Sequence, residues 1–211
     1  MTLPIIILGA GGHSKVLMDA LIAQKTKILG VTDCELAKKG NLLLGIEVIG
    51  DDRVVLSYKP NAIHLVNGVG SVGIPTQRKH LFCKFTELGY SFAHVIHPST
   101  VIAASVHFAE GVQIMAGAVV QTGCRIGKNS IINTKASVDH DCAIAAHVHI
   151  APGVTLSGEV EVGEGVHIGT GATVIQGIRI GKNSLIGAGS VVTRDVPAGV
   201  TVMGVPAREV K

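Results

Sequence analysis

From Ile96 to Val192 a large apolar residue recurs at every sixth position without a break. The stations are Ile96, Ile102, Phe108, Ile114, Val120, Ile126, Ile132, Val138, Ile144, Ile150, Leu156, Val162, Ile168, Val174, Ile180, Ile186 and Val192. Two residues before the station the side chain is usually small or β-branched, as at Val112, Ala118, Cys124, Ser130, Ala136, Cys142 and Val148. Glycine often follows the station, as at Gly127, Gly163, Gly169, Gly181 and Gly187. A period of six fits neither the helical 3.6 nor an alternating strand with hairpins. It is the period of a parallel β-helix built from hexapeptides. Each rung then turns one corner of a triangular prism, and three rungs close a coil. The station fills the interior and the small residue two before it shares that space.

Before Ile96 the pattern changes. Residues 3–8 form a continuous apolar run that predicts a central parallel strand. Gly9-Ala10-Gly11-Gly12-His13-Ser14-Lys15 follows, then Val16, Leu17, Ala20, Leu21 and Ile22 at helical spacing. A second strand over 27–32 ends at Asp33. Strand, glycine turn, helix, strand and acid make the front of a Rossmann-like nucleotide-binding unit. Gly9, Gly11 and Gly12 let the backbone approach a phosphate, and the helix start offers it unpaired N–H groups. Asp33 can take ribose or base hydrogens. Ser14 stands where the full dinucleotide fingerprint has its third glycine, so the residues alone fit either a nucleotide site or an ordinary tight turn.

Two more strands are expected at 46–49 and 62–66, with a short helix over 51–57 between them. A second glycine-rich loop, Asn67-Gly68-Val69-Gly70-Ser71-Val72-Gly73, lies where a third parallel strand would end. A helix over 77–88 is closed by Gly89. About 90 residues hold only half of a dinucleotide-binding domain. A mononucleotide or nucleotide-sugar fits better than NAD, and a dehydrogenase reading fails on length. The expected division is a Rossmann-like half-domain over 1–93 and a β-helix domain with a C-terminal tail over 94–211.

Composition narrows the function classes. The 211-residue chain is 47% hydrophobic, so it can bury a sizeable core, and its 3% aromatic content suits a narrow prism filled by valine and isoleucine. So few aromatics argue against stacking platforms for nucleic acid. The net charge of +3 is spread rather than clustered, which leaves no electrostatic footprint for nucleic acid. Cys34, Cys83, Cys124 and Cys142 show neither metal-type nor disulfide-like spacing, the usage of a reduced cytoplasmic protein. Residues 3–8 lack the basic flank and cleavage site of a signal peptide. No run reaches membrane-spanning length.

The stations, the stretch Gly189-Ser190-Val191-Val192-Thr193-Arg194-Asp195-Val196-Pro197-Ala198-Gly199 and the tail Gly204-Val205-Pro206-Ala207-Arg208 resemble the left-handed β-helix acyltransferases. The front end with Gly9-Ala10-Gly11-Gly12-His13 narrows the resemblance to the NeuD/PglD-type branch. That branch contains bacterial nucleotide-4-amino-sugar N-acetyltransferases and sialic acid O-acetyltransferases. The resemblance covers essentially the whole chain. It implies a homotrimer, acetyl-CoA between neighbouring prisms and a sugar nucleotide on the front domain.

Catalytic chemistry is expected where the repeat carries residues its architecture does not need, at Val138-Asp139-His140-Asp141-Cys142. Acetyl transfer to an amine or hydroxyl needs a general base with a pKa near working pH, which histidine provides with little tuning. A carboxylate on the other ring nitrogen fixes the tautomer and stabilises the imidazolium. The family's His-acid pair maps onto His140 and Asp141. Asp139 is a rival partner, since strand neighbours point to opposite faces unless a corner intervenes. Without the resemblance, the plainer reading of His140 is an exposed rung histidine.

By the same resemblance His149 lies close to acetyl-CoA, and Gly158 and Gly169 pack against the pantetheine arm. Gly158 also offers its backbone N–H to the thioester oxyanion, and Asn133 matches an asparagine near the site. His13, Asp33, Gly70 and Ser71 match positions that meet the sugar nucleotide. Where the branch often has two acids, this chain has Thr32-Asp33, which leaves UDP, GDP, dTDP and CMP open. His147 and His149 share a strand face but have no third ligand at matching spacing, so no metal is expected. His147 receives no role.

The function expected is acetyl-CoA-dependent N-acetylation of a nucleotide-linked 4-amino-deoxy sugar for a surface glycan. O-acetylation of a sialic acid is the runner-up. A trimeric nucleotide-binding scaffold without catalysis is a third reading, disfavoured because His140-Asp141, His149 and Pro206-Ala207-Arg208 are intact.

Overall fold

The computed structural model describes residues 3–210. Its front part is a five-stranded sheet made of β1 (Ile5–Leu8), β2 (Ile28–Thr32), β3 (Leu42–Leu43), β4 (Ile46–Gly50) and β5 (His64–Asn67), in the order β3-β4-β2-β1-β5. All pairs are parallel except the β3–β4 hairpin. Every residue of β1 is buried, which is why its sequence is an unbroken apolar run rather than an alternation. Alternate residues of that run feed two cores. Ile5 and Ile7 pack with Leu17, Met18 and Leu21 of helix α1 (Gly12–Ala23). Ile6 and Leu8 pack with Phe82 and Phe85 of helix α2 (Thr76–Glu87). The short helix expected over 51–57 is a 3-10 turn, Asp52–Ser57, begun by the Asp51 side chain accepting from the Arg53 N–H.

From Val95 onward two-residue strands stack as three parallel faces joined by tight turns. Face I runs from Val95–Ile96 through Gln113–Ile114, Ile131–Ile132, His149–Ile150 and His167–Ile168 to Leu185–Ile186. Face II carries Val101–Ile102 to Val191–Val192, and face III carries His107–Phe108 to Arg179–Ile180. Each residue pairs with the one eighteen positions later, as Val138 does with Leu156, so three hexapeptides close a coil. The stations from Ile114 onward form one buried column with the small residues that precede them. Ile96, Ile102 and Phe108, in the first coil, are only partly buried.

Turn geometry explains two sequence positions. Glycine directly after the station is a packing requirement: a Cβ on Gly163 would lie 2.6 Å from the backbone nitrogen of Lys182 on the next coil. Three residues after the station the backbone is left-handed. Glycine fills many of these positions, and Asn129, Lys135, Asp141, His147, Glu159 and Asn183 adopt it with φ between 56° and 60°. Asp141 therefore sits on a corner, not on a strand. Beyond Val192, face I is extended by Thr201–Met203, which pairs antiparallel with Arg208–Val210.

The front part docks on face I and the corner between faces III and I. Val95 and Met115 from the prism join the core beneath α1. On the other side Phe82 packs against Phe92, ring centroids 4.4 Å apart, and meets His147 edge-on at 5.6 Å. This contact gives His147 its place: it is buried in the joint, with Nδ1 3.0 Å from Asn129 Nδ2. All four cysteines are free, with Cys124 and Cys142 inside the prism. Among the described residues no helix is long and apolar enough to cross a membrane.

Candidate active site

His140 and Asp141 occupy a turn between faces II and III. The left-handed φ of 58° at Asp141 swings its carboxylate back to the preceding side chain, and His140 Nδ1 lies 2.9 Å from Asp141 Oδ2. Asp139 is occupied otherwise, accepting the His140 N–H at 2.7 Å. The corner thus relaxes the strand rule, and the carboxylate on the imidazole is Asp141. Its hydrogen bond raises the His140 pKa above the ordinary histidine value. The side chain of His140 is 41% exposed, and Nε2 remains open to an incoming group. Gly158, one coil on, lies under the imidazole: a Cβ there would stand 2.5 Å from His140 Cε1.

A second cluster lies elsewhere. A cavity of about 780 Å³ opens between the front sheet and the prism. Its floor is the turn from Gly9 to His13 and its wall the loop from Gly68 to Val72. The α2 face with Gln77, His80 and Lys84 closes one side, and Asn133 and His149 reach in from the prism. Gly70 allows close approach of that loop to the turn, because a Cβ on it would lie 3.2 Å from His13 Cβ. The α1 N-terminus carries no side-chain cap, so its N–H groups stay available at the cavity floor. Ser14, at the missing third glycine, bonds the carbonyls of Gly9 and Gly68 and so ties the two glycine loops together.

Asp33 lines this cavity but its oxygens are engaged. They accept from Glu35 N at 2.9 Å, Ala10 N at 3.2 Å and Lys38 Nζ at 3.2 Å. The carboxylate holds the glycine turn and brings a lysine to the rim, which the sequence did not single out.

His149 is held from both ends. Nδ1 meets Ser71 Oγ at 2.7 Å and the Ser71 carbonyl at 3.1 Å, while Nε2 lies 3.1 Å from Asn133 Nδ2. The Asn133 amide oxygen accepts from Thr134 N at 2.8 Å, so its NH₂ faces the imidazole. His149 therefore carries its proton on Nδ1 and accepts at Nε2. Burial, then the neighbouring His167, push its pKa down to about 3. His13 is likewise pushed down to about 4, by burial and then by Arg78.

The residues singled out from the sequence thus separate by corner. His140, Asp141 and Gly158 lie at the turn between faces II and III. Asn133 and Gly169 lie at the turn between faces I and II, and His149 on face I with the cavity. Gly169 also serves packing, since a Cβ on it would lie 2.6 Å from Ala188 N. Lys38, Arg78, Gln113 and Asn67 are neighbours of the cavity that sequence reasoning missed. Gln113 left no signal, since a polar residue just before a station is common in this repeat, and only its burial at 1% exposure sets it apart. Among the described residues no group of three or more His, Cys, Asp or Glu side chains is placed to hold a metal ion.

The PglD N-terminal domain family matches residues 4–85, and the bacterial transferase hexapeptide family (six repeats) matches residues 159–194. PerB from Caulobacter crescentus, solved in complex with CoA and GDP-perosamine, is 38% identical with a TM-score of 0.91, covering 99% of this chain and 97% of its own. The acetyltransferase domain of PglB from Neisseria gonorrhoeae, in complex with acetyl coenzyme A, is 34% identical with a TM-score of 0.91 over 100% of both chains. WeeI from Acinetobacter baumannii is 29% identical with a TM-score of 0.88, covering 99% of this chain and 100% of its own.

Proposed function

The chain belongs to the NeuD/PglD-type left-handed β-helix sugar acetyltransferases and uses acetyl-CoA, and we propose that it N-acetylates a nucleotide-linked 4-amino-deoxy sugar destined for a surface glycan. The observation that carries the reading is the His140–Asp141 pair. The carboxylate bonds Nδ1, leaving Nε2 as a base at an exposed corner with Gly158 beneath it. In the proposed reaction the sugar amine attacks the thioester carbonyl and His140 Nε2 takes the proton the amine sheds. The tetrahedral intermediate collapses with cleavage of the C–S bond, and the imidazolium returns the proton to the departing coenzyme A sulfur. The Gly158 N–H is the proposed donor to the oxyanion.

The acceptor's nucleotide would lie in the 780 Å³ cavity, between the glycine turn and the Gly68–Val72 loop. PerB, whose structure holds GDP-perosamine, supports this class of acceptor and makes a GDP-linked sugar the first to try. Because His140 and the cavity occupy different corners of one chain, a working site in this reading takes His140, Asp141 and Gly158 from one copy. Asn133, His149 and Gly169 come from the next, with acetyl-CoA between the prisms in a trimer. Acetyl-CoA and nucleotide sugars are cytoplasmic metabolites, so the proposed reaction is a cytoplasmic one.

The test is coenzyme A release with a panel of GDP-, UDP-, dTDP- and CMP-linked 4-amino sugars and free sialic acid. Turnover on one amino-sugar nucleotide is expected. Turnover on sialic acid alone would move the chain to O-acetylation and overturn the proposal.

A further inference from the structure

Arg78 is a buried cation that the proposed chemistry does not use. It projects from α2 and is 1% exposed. Its hydrogen bonds go to main-chain carbonyls: Nη1 to Asn67 O and to Val69 O, both at 2.8 Å, and Nε to Asn129 O at 3.2 Å. Nη2 has no partner among the described residues. Burying a guanidinium without a counter-ion is costly, and burial pushes its pKa down to about 9. A methionine or leucine would avoid that cost but would take a donor from the buried carbonyls of Asn67, Val69 and Asn129, so the arginine is there for the main chain it holds.

What the guanidinium does hold is the start of the second glycine-rich loop. Asn67 O accepts from Arg78 and also from Gln113 Nε2 at 2.8 Å. That contact fixes which way the Gln113 amide points, so its Oε1 faces His13 Nε2 at 2.8 Å. An amide oxygen can only accept. His13 must therefore carry its proton on Nε2, leaving Nδ1 as the acceptor in a side chain that lines the cavity. Through Val69 O the same arginine holds the segment leading to Ser71, which fixes His149 at the other wall.

We propose that Arg78 is a positioning residue of the acceptor site: through the Asn67 carbonyl and Gln113 it sets the tautomer of His13, so that Nδ1 accepts a hydrogen from the sugar nucleotide. Its uncompensated charge acts in the same sense, since a cation behind His13 disfavours the imidazolium. The groups facing His13 are Arg78 on α2 and Gln113 and His149 on the prism. None of them is anionic, and a carboxylate in place of the Gln113 amide would favour the charged ring instead. The inference rests on the proposed acceptor site, but the state of the His13 ring can be read without any substrate.

The experiment is a long-range ¹H–¹⁵N correlation of the histidine rings in the full-length protein, with His13 assigned by its loss in His13→Asn. In the wild type His13 is expected as the Nε2–H tautomer, titrating near the pKa of about 4. In Arg78→Gln the ring should become a tautomer mixture that titrates at higher pH. KM for the nucleotide sugar should rise about tenfold or more, with kcat changed less. Should Arg78→Gln not fold, Gln113→Leu removes the link while leaving the guanidinium in place, and the same loss of a single tautomer is expected. An unaltered His13 tautomer in either folded variant overturns the proposal, whatever the acceptor proves to be.

Discussion

Gly158→Ala separates a catalytic role of this corner from a structural one. Gly158 has no left-handed φ, so its backbone accepts alanine without strain. The added methyl, however, would stand 2.5 Å from His140 Cε1 and 3.1 Å from Cδ2. Carbon atoms rest about 3.5–4.0 Å apart, so the imidazole must move by about 1 Å or swing out. The ring is half exposed and bound only through Nδ1, so it can yield without disturbing the coil. Stability should stay within about 0.5 kcal/mol of wild type. A base displaced by about 1 Å costs on the order of 100-fold in rate, or about 2.7 kcal/mol of transition-state stabilisation.

Gly163→Ala supplies the contrast. There the methyl meets backbone, 2.6 Å from Lys182 N and 2.9 Å from Ile180 O, and neither can swing aside. Overpacking of this kind costs about 2–3 kcal/mol, a fall in Tm of roughly 5–10 °C for a chain of this size. Coenzyme A release, resolved into kcat and KM, and thermal unfolding should be measured on both variants. Gly158→Ala at wild-type kcat would refute the stacking of His140 on this glycine as a catalytic arrangement. So would a loss of Tm equal to that of Gly163→Ala.

His140→Ala should remove most activity with the oligomer intact, and co-expression with His13→Ala should restore roughly a quarter of the sites if each is shared between two copies of a symmetric ring. Mixed assemblies with no activity would put the whole site in one chain. The rate should climb with pH as the His140 imidazolium, stabilised by Asp141, gives up its proton. Asp141→Asn removes that stabilisation, so the limb should move to lower pH and kcat should fall. Asp139→Asn, which touches only the His140 N–H, should do less of both, and a larger effect there would exchange the two roles. His13, His147 and His149 are held neutral, with pKa values of about 4, 4 and 3 against an ordinary 6.5. The unfolded chain takes up these protons first, so stability is complete above about pH 6.5 and is lost as the pH falls toward the folded values. Between pH 7 and pH 5 the loss is at most about 2 kcal/mol per histidine, about 6 in all. Denaturant melts at the two pH values that differ by less than about 1 kcal/mol would show that these rings are not buried neutral.

The prism was legible in the sequence because its rule is local. A turn every six residues puts each station inside and each following glycine against the next coil, whatever the rest of the chain does. The glycine turn after β1 was legible for the same reason. His140 stood between two acids equally adjacent in sequence, Asp139 and Asp141, and only the left-handed corner at Asp141 decides which carboxylate meets the ring. Other features depended on which surfaces meet. Nine residues separate His140 from His149, one and a half rungs, and the closing of the coil sends them to different sides of the prism. The front part then covers face I but not the turn that holds His140. That docking turns Gln113 from an outward rung residue into a buried link to His13, one hundred positions away in the chain, and it encloses Arg78 and His147. Periodicity follows from steric rules that act over a few residues. The partners of Arg78, Gln113 and Asn67 follow from the packing of two units against each other, and only the folded chain decides that.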